Sequence, residues 1–450
     1  MSTVPGSLET ETELPLELPL RHFLVALGYL LAGTHVAAGG DVLPGLATLA
    51  MAHLLLAGWV CITIMGAMTQ FVPVWSGTTL HSHRLASVQL WCVVAGVSGF
   101  VVALLLGALA WLLPFGALLL TGFWVFAYNI LRTLSTLDSY GVTERHFGYA
   151  IGFLITATLF GVVLAADFTL PITDTLPVTH GALKGAHATI AVFGVVLTTI
   201  YGALYQLGTM FTQTELHGVD TTLQSLEAAG HPLGVVLLAG GRLLESGAVA
   251  RVGGLLVVLA ALAVAVVLGR RLLEMQVEWQ PMHTRYAVAT VALVVWAALT
   301  GPAWLRTPLG AANLFGAPGS VHLLVLGAIG MVVVGTLYHI VPFIIWVNSY
   351  SDRLGYEPVP MVDDLYSSRL AAVDGSLWVG GTALLVFSQW VPLSPAVAAV
   401  AGTLLTLGAM AVAANMVLVI YRHGPRPLDR VLLGSASPCP AARGESDTAD

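Results

Sequence analysis

Charge is scarce in this chain. Of 450 residues only 9% are Asp, Glu, Lys or Arg, against 57% apolar, and the mean hydropathy is +0.87. A soluble globular domain carries roughly a quarter of its residues as charges, so that class is excluded. Lysine is nearly absent: Lys184 is the single one among seventeen cations. The formal charge of −7 lies mainly in tails and loops, and no basic stripe exists to hold phosphates, so nucleic acid is not expected as a partner. Cysteine is limited to Cys61, Cys92 and Cys439 with no CxxC spacing, which excludes a disulfide framework and a thiolate metal site. The first 20 residues hold acids and prolines but no basic stretch before an apolar core. No cleaved signal peptide is expected, and the first apolar span is retained.

What the chain has in quantity is long apolar runs, each able to cross a bilayer core of roughly 30 Å. Hydropathy places spans near 21–39, 45–73, 85–106, 109–133, 146–168, 183–211, 222–246, 250–272, 284–305, 319–347, 368–390 and 394–421. The expected fold class is all-α integral membrane with twelve transmembrane helices in contact with lipid. The seventh span is weakest, interrupted by Glu227, His231-Pro232 and Arg242. Residues 1–20 form an N-terminal tail and 21–421 the membrane domain. Residues 422–450, rich in Pro, Ser, Arg and acids, are expected to be a disordered tail.

Twelve spans put both ends on one side. Thirteen arginines fall there: Arg21, Arg84, Arg132, Arg145, Arg270, Arg271, Arg285, Arg353, Arg369, Arg422, Arg426, Arg430 and Arg443. Only Lys184, Arg242, Arg251 and Arg306 fall on the other. The bias predicts a multi-pass protein of the cell (plasma) membrane with both termini cytoplasmic.

A segment recurs three times: MAHLLLAGWVCITIMGAMTQFVP (51–73), HATIAVFGVVLTTIYGALYQLG (187–208) and VHLLVLGAIGMVVVGTLYHIVP (321–342). Gly58 and Gly66, Gly194 and Gly202, and Gly327 and Gly335 are each eight apart. His53, His187 and His322 are spaced by 134 and 135 residues. Such a period holds four spans, and an even number keeps the copies in one orientation. Three parallel four-helix repeats follow, at about 21–133, 146–272 and 284–421. Two six-span halves with inverted sub-repeats, a common transporter plan, do not fit this period.

His53 and His322 each precede the first repeat glycine by five residues and so share one depth in the outer half. Ionisable residues inside a membrane are functional candidates, and neutral imidazole is an axial haem ligand. The glycine face permits close helix approach or the approach of a flat macrocycle, and hydrogen bonding between helices is the plainer alternative. His187 is two residues early, with Thr189 in the equivalent place, so its side chain points elsewhere on the helix. It is either a separate ligand or a span-end residue. His35, near the outer end of span 1, is a further metal candidate. His231 with Glu227 four residues earlier reads as a metal or proton site, or as a kinked helix at Pro232. His339 pairs in register with Gln70 and Gln206 and is assigned a structural role. His22, His81, His83, His146, His217, His283 and His423 are expected to be solvated or interfacial.

The pattern resembles subunit I of the haem-copper oxidase superfamily (cytochrome c oxidase and nitric oxide reductase-like). The His-to-MGxxxxxVP run of span 2 is similar to the nitric oxide reductase and cbb-type branch. The resemblance implies three four-helix arcs and a low-spin haem b held by His53 and His322. It also implies departures. Ser320 stands where the high-spin haem ligand is expected. Span 7 offers His231 alone in place of a His-His pair, and the propionate-binding arginine pair is missing from WVPLSP. Arg306, Arg242, Arg251 or Lys184 would have to replace it.

The reading is a divergent subunit I-like membrane protein binding haem b for respiratory electron transfer or nitric oxide- or oxygen-related redox chemistry. A copper or other second metal is weighed at His187, His231 and His35. If it is an enzyme, it is an oxidoreductase of terminal oxidase or nitric oxide reductase type with an incomplete ligand set. Its partners would be respiratory subunits or a cytochrome, cupredoxin or quinol donor. A role like that of the related haem- and copper-containing NnrS membrane proteins also stands. Two other classes stay open: a transporter or channel lined by Glu227, His231, Arg242 and His339, and a cofactor-free scaffold of a respiratory complex.

Overall fold

The computed structural model describes residues 16–39, 43–391 and 394–433. Cys439, Arg443, most of the two expected tails and part of the WVPLSP connection lie outside them. The described chain is helical, with twelve long helices joined by short connections. They are α1 (Glu17–Gly39), α2 (Ala47–Ser76), α3 (His83–Leu106), α4 (Leu109–Leu134), α5 (Val142–Asp167), α6 (His180–Thr212), α7 (Val219–Leu243), α8 (Gly247–Leu273), α9 (Pro281–Arg306), α10 (Leu323–Ser349), α11 (Ser368–Ser388) and α12 (Pro395–His423).

Eleven of these are long and apolar enough to cross a membrane. The exception is α7. Its polar residues face inward instead: Asp220, Glu227 and His231 are at most 1% exposed and Arg242 5%. A helix surrounded by protein can carry such groups provided they are paired.

The chain runs up and down, so α2–α3, α4–α5, α6–α7, α8–α9 and α10–α11 connect at the face that holds both termini. There the tail departs from expectation. A short helix, α13 (Leu428–Leu433), docks on α1, with Val431 buried and its carbonyl accepting from Arg21 Nε at 2.8 Å.

Each of α2, α6 and α10 contains a π-helical segment: Leu54–Cys61, Ile190–Leu197 and Leu323–Gly330. All three start four residues before the first repeat glycine. This explains the eight-residue spacing. In a plain α-helix, eight residues turn about 800°, so the two glycines would face about 80° apart. A π-turn absorbs one residue and brings both back onto one face.

That face is filled by the preceding helix. A Cβ at Gly58 would meet Tyr29 Cγ at 2.6 Å, and one at Gly66 would meet His22 Cβ at 2.6 Å. Gly194 and Gly202 abut Phe153 and His146 of α5, and Gly327 and Gly335 abut Ala292 and Arg285 of α9. In every case the two opposing residues are seven apart, two helical turns. Of the two alternatives for the glycine face, this packing is the close helix approach.

A second glycine set seats the third helix on the fourth. Gly96 meets Leu119, Gly234 meets Leu256 and Gly381 meets Leu405. Seven residues before each stand Gln89, Glu227 and Asp374, all buried. At the terminus face, Asn129 brackets Ser82 with both amide atoms at 3.0 Å, and Asn415 does the same to Ser367 at 2.9 Å. Both serines cap the helix that follows.

Candidate polar site between α5, α6 and α7

The buried groups seven residues before those glycines build the polar interior. On α7, Glu227 is 1% exposed, and it accepts a hydrogen bond from Tyr205 Oη of α6 at 2.8 Å. Its Oε2 also lies 3.1 Å from Nε2 of His146 on α5. His146 is fully buried, contrary to the solvated or interfacial placement expected of it. Its Nδ1 lies 2.7 Å from the Val142 carbonyl. A carbonyl only accepts, so Nδ1 carries a hydrogen. The Nε2–carboxylate contact then holds one proton, on nitrogen or on oxygen.

Further into the bundle, His231 bonds through Nε2 to the Phe193 carbonyl at 2.9 Å, and its Nδ1 is buried without a partner. Its ring lies 4.8 Å from that of Tyr201, whose hydroxyl is also buried and unpartnered. Glu227 and His231 thus share a helix but not a bond; the partners of Glu227 come from α5 and α6.

Toward the terminus face the cluster meets a cavity of about 390 Å³. Tyr205, Gln206, Thr143, Glu144, Glu215 and Trp75 are among the residues lining it. Tyr205 is therefore both wall of the cavity and donor to Glu227. Toward the far face, Phe193, Trp296 and Trp304 contact one another at 5.5–5.9 Å between ring centres. Beyond them Arg242 donates to Thr189 Oγ1 at 2.6 Å and to the carbonyls of Pro308, Asn313 and Leu314. With these partners it binds loop carbonyls, not an anionic group.

The same place relative to the glycines of α10 and α11 holds Arg285, which pairs with Asp374, while Tyr338 donates to the other Asp374 oxygen. Asn415 donates to Tyr338 Oη at 3.0 Å, completing the set. Relative to the glycines of α2 and α3 the same place holds His22 and Gln89. His22 Nε2 and both amide atoms of Gln89 are buried and unpartnered.

Of the expected haem and metal residues, His53, His187, His35 and His231 each bond a backbone carbonyl. His53 bonds through Nδ1 to the Leu49 carbonyl at 2.8 Å, and its ring centre is 4.9 Å from that of Phe100 on α3. His322 keeps a buried Nδ1 without a partner. His187 bonds to the Ala157 carbonyl at 2.8 Å and lies within electrostatic reach of His53. His35 is exposed and bonds to Leu31 of its own helix. Among the described residues, no group of three or more His, Cys, Asp or Glu is placed to hold a metal ion.

Trp59 of α2 and Trp378 of α11 stand 5.7 Å apart, both at most 2% exposed, one to two turns inward of His53 and His322. Trp378 donates to the Leu326 carbonyl of α10. Between α2, α6 and α10 an apolar cavity of about 60 Å³ remains, against roughly 300–1,000 Å³ for ligand sites. That cavity lies inward of His53 and His322, against Thr63 and Met68 of α2 and Val332 and Thr336 of α10.

At the terminus face, outside the spans, His217 hydrogen-bonds Glu274 at 2.8 Å, and that bond with the Arg271 guanidinium holds the Glu274 carboxyl below its ordinary range. Asp363 is pushed up, chiefly by burial. No known family model matches the chain, and no curated protein is recognisably similar to it.

Proposed function

We propose that the chain is a membrane protein of three parallel four-helix units, framed like haem-copper oxidase subunit I, that handles charge within the bilayer as a transporter or channel does. One observation carries this reading: Tyr205, Glu227 and His146 form an unbroken hydrogen-bonded chain of titratable groups that begins at a cavity on the terminus face. Buried ionisable groups inside a membrane mark ion and proton pathways. The frame is supported by three π-turns in one register and by three pairs of glycines seated on residues seven apart. The positive-inside bias supports a cytoplasmic terminus face, and we place the protein in the cell membrane.

Reconstituted vesicles test the reading. The protein should collapse an imposed ion gradient, and Glu227→Gln should remove that conductance. Equal gradients with and without protein, across proton, sodium and potassium, would overturn it.

A second reading is favoured by the bare Nδ1 of His322 and by the shared place of His53 and His322 at the head of a π-turn. It is a haem b protein for electron transfer or for nitric oxide- or oxygen-related redox chemistry. The absorption spectrum decides: a Soret band lost in His53→Ala and His322→Ala supports it, and a colourless folded protein from haem-replete cells excludes it.

A further inference from the structure

The geometry points to the proton as the ion: we infer that Glu227 and His146 jointly store one exchangeable proton, drawn from the terminus-face cavity through Tyr205. The inference rests on the charge-handling reading and names its substrate.

The proton count follows from the bonds. His146 Nδ1 is committed to the Val142 carbonyl, and Tyr205 spends its hydrogen on Glu227 Oε2. One proton is left for Nε2 and the carboxylate to share. Two arrangements satisfy the same atoms, imidazolium with carboxylate or imidazole with carboxylic acid. A second proton would have no acceptor within the pair. None at all would leave Nε2 and the carboxylate facing each other as two acceptors, a costly arrangement where both side chains are fully buried.

Access comes from one side. Tyr205 lines the 390 Å³ cavity, so its oxygen can accept from water there while its hydrogen passes to Glu227. The transfer is balanced: hydronium in the cavity loses a proton to the Tyr205 oxygen, and Tyr205 loses its original hydrogen to the Glu227 carboxylate. The products are water, an unchanged phenol and a carboxylic acid, which can pass the proton on to His146 Nε2. Glu144 and Glu215 on the cavity wall favour cations at its mouth.

The other titratable groups facing the pair are Tyr201 of α6 and His231 of α7. His231 Nδ1 and the Tyr201 hydroxyl are the unpartnered polar atoms next to the store. Beyond them stand the rings of Phe193, Trp296 and Trp304, and both indole nitrogens already donate to the carbonyls of Phe315 and Asn313. The store is thus inward-facing.

Infrared spectroscopy of the protein in nanodiscs tests this. In His146→Gln the stored proton must sit on Glu227, so a carboxylic C=O band should appear, and it should vanish in the His146→Gln, Glu227→Gln double variant. Adding Tyr205→Phe, which keeps the ring, should slow deuteration of that band roughly 10-fold or more. A bulky thiol reagent on Gln206→Cys should slow it as well. A band that deuterates at one rate in all these backgrounds, or no band dependent on Glu227, overturns the inference. Vesicle flux of another ion with a Glu227 that exchanges no proton would leave the charge-handling reading and remove this one. Exchange at Glu227 with no ion flux at all would do the reverse.

Discussion

His146 Nε2 stands 3.1 Å from Glu227 Oε2 at the register where the third unit pairs Arg285 with Asp374. The same place relative to two glycine pairs thus carries a titratable pair on α5 and α7 and a permanent ion pair on α9 and α11. The difference matters because an arginine keeps its proton at every working pH, whereas a histidine does not.

The Arg285–Asp374 pair should behave as a structural clamp. Asp374→Asn or Arg285→Met leaves a buried partner uncompensated and should cost about 3–5 kcal/mol. Replacing both with apolar residues of similar volume should cost less than the sum. Denaturant unfolding in detergent, read as a double-mutant cycle, measures this.

Gly96→Ala would put a methyl 2.7 Å from both the Cα and the backbone N of Leu119. Backbone atoms cannot swing aside as a side-chain tip can, so α3 and α4 must part. A loss of about 1–3 kcal/mol is expected. Gly152→Ala on α5 has nothing within 4 Å and should be neutral or slightly stabilising. Thermal melts of the two variants side by side test the contrast.

Deleting one residue from Leu323–Gly330 should convert the π-turn to plain α-helix. Everything after it would keep its face, because the turn had absorbed the extra residue and seven α-helical residues turn about 700°. Gly335 would keep its seat on Arg285, and the variant should still elute as the folded monomer on size-exclusion chromatography. Deleting Ala289 from α9, which has no π-turn to absorb the loss, would rotate Ala292 by about 100° relative to Arg285 and should prevent folding.

Acid should weaken the terminus face. The folded-state carboxyl of Glu274 is depressed below its unfolded value of about 4.3. Its contribution is complete above that value and disappears as the pH falls through the lower, folded one. Glu274→Gln should flatten the acid limb of the stability profile, measured as melting temperature against pH, and leave the neutral region nearly unchanged.

The number and placement of long helices were legible because apolar runs and polar turns are local signals. The weakness of α7 was legible too, through Glu227, His231 and Arg242. What escaped was the partner of Glu227. His146 sits two residues from Glu144 and one from Arg145, and that context reads as a solvated helix start. Only the packing of α5 against Gly202 puts it inside. Tyr205 was visible in the shared LYQ and LYH runs, but no local pattern marks a phenol as a proton donor. The three glycine pairs were legible, yet their eight-residue step was taken on an ideal helix. A π-turn has no composition of its own, and only the step itself betrays it.

The three copies of one slot also have a practical value. His22 with an uncharged Gln89, titratable His146 with Glu227 and permanent Arg285 with Asp374 are three settings of the same place beside a glycine pair. Exchanging residues between the units, His146→Arg or Arg285→His, would therefore fix a movable charge or free a fixed one without altering the surrounding frame. The protein supplies its own graded series of variants, with the unmodified units as internal standards.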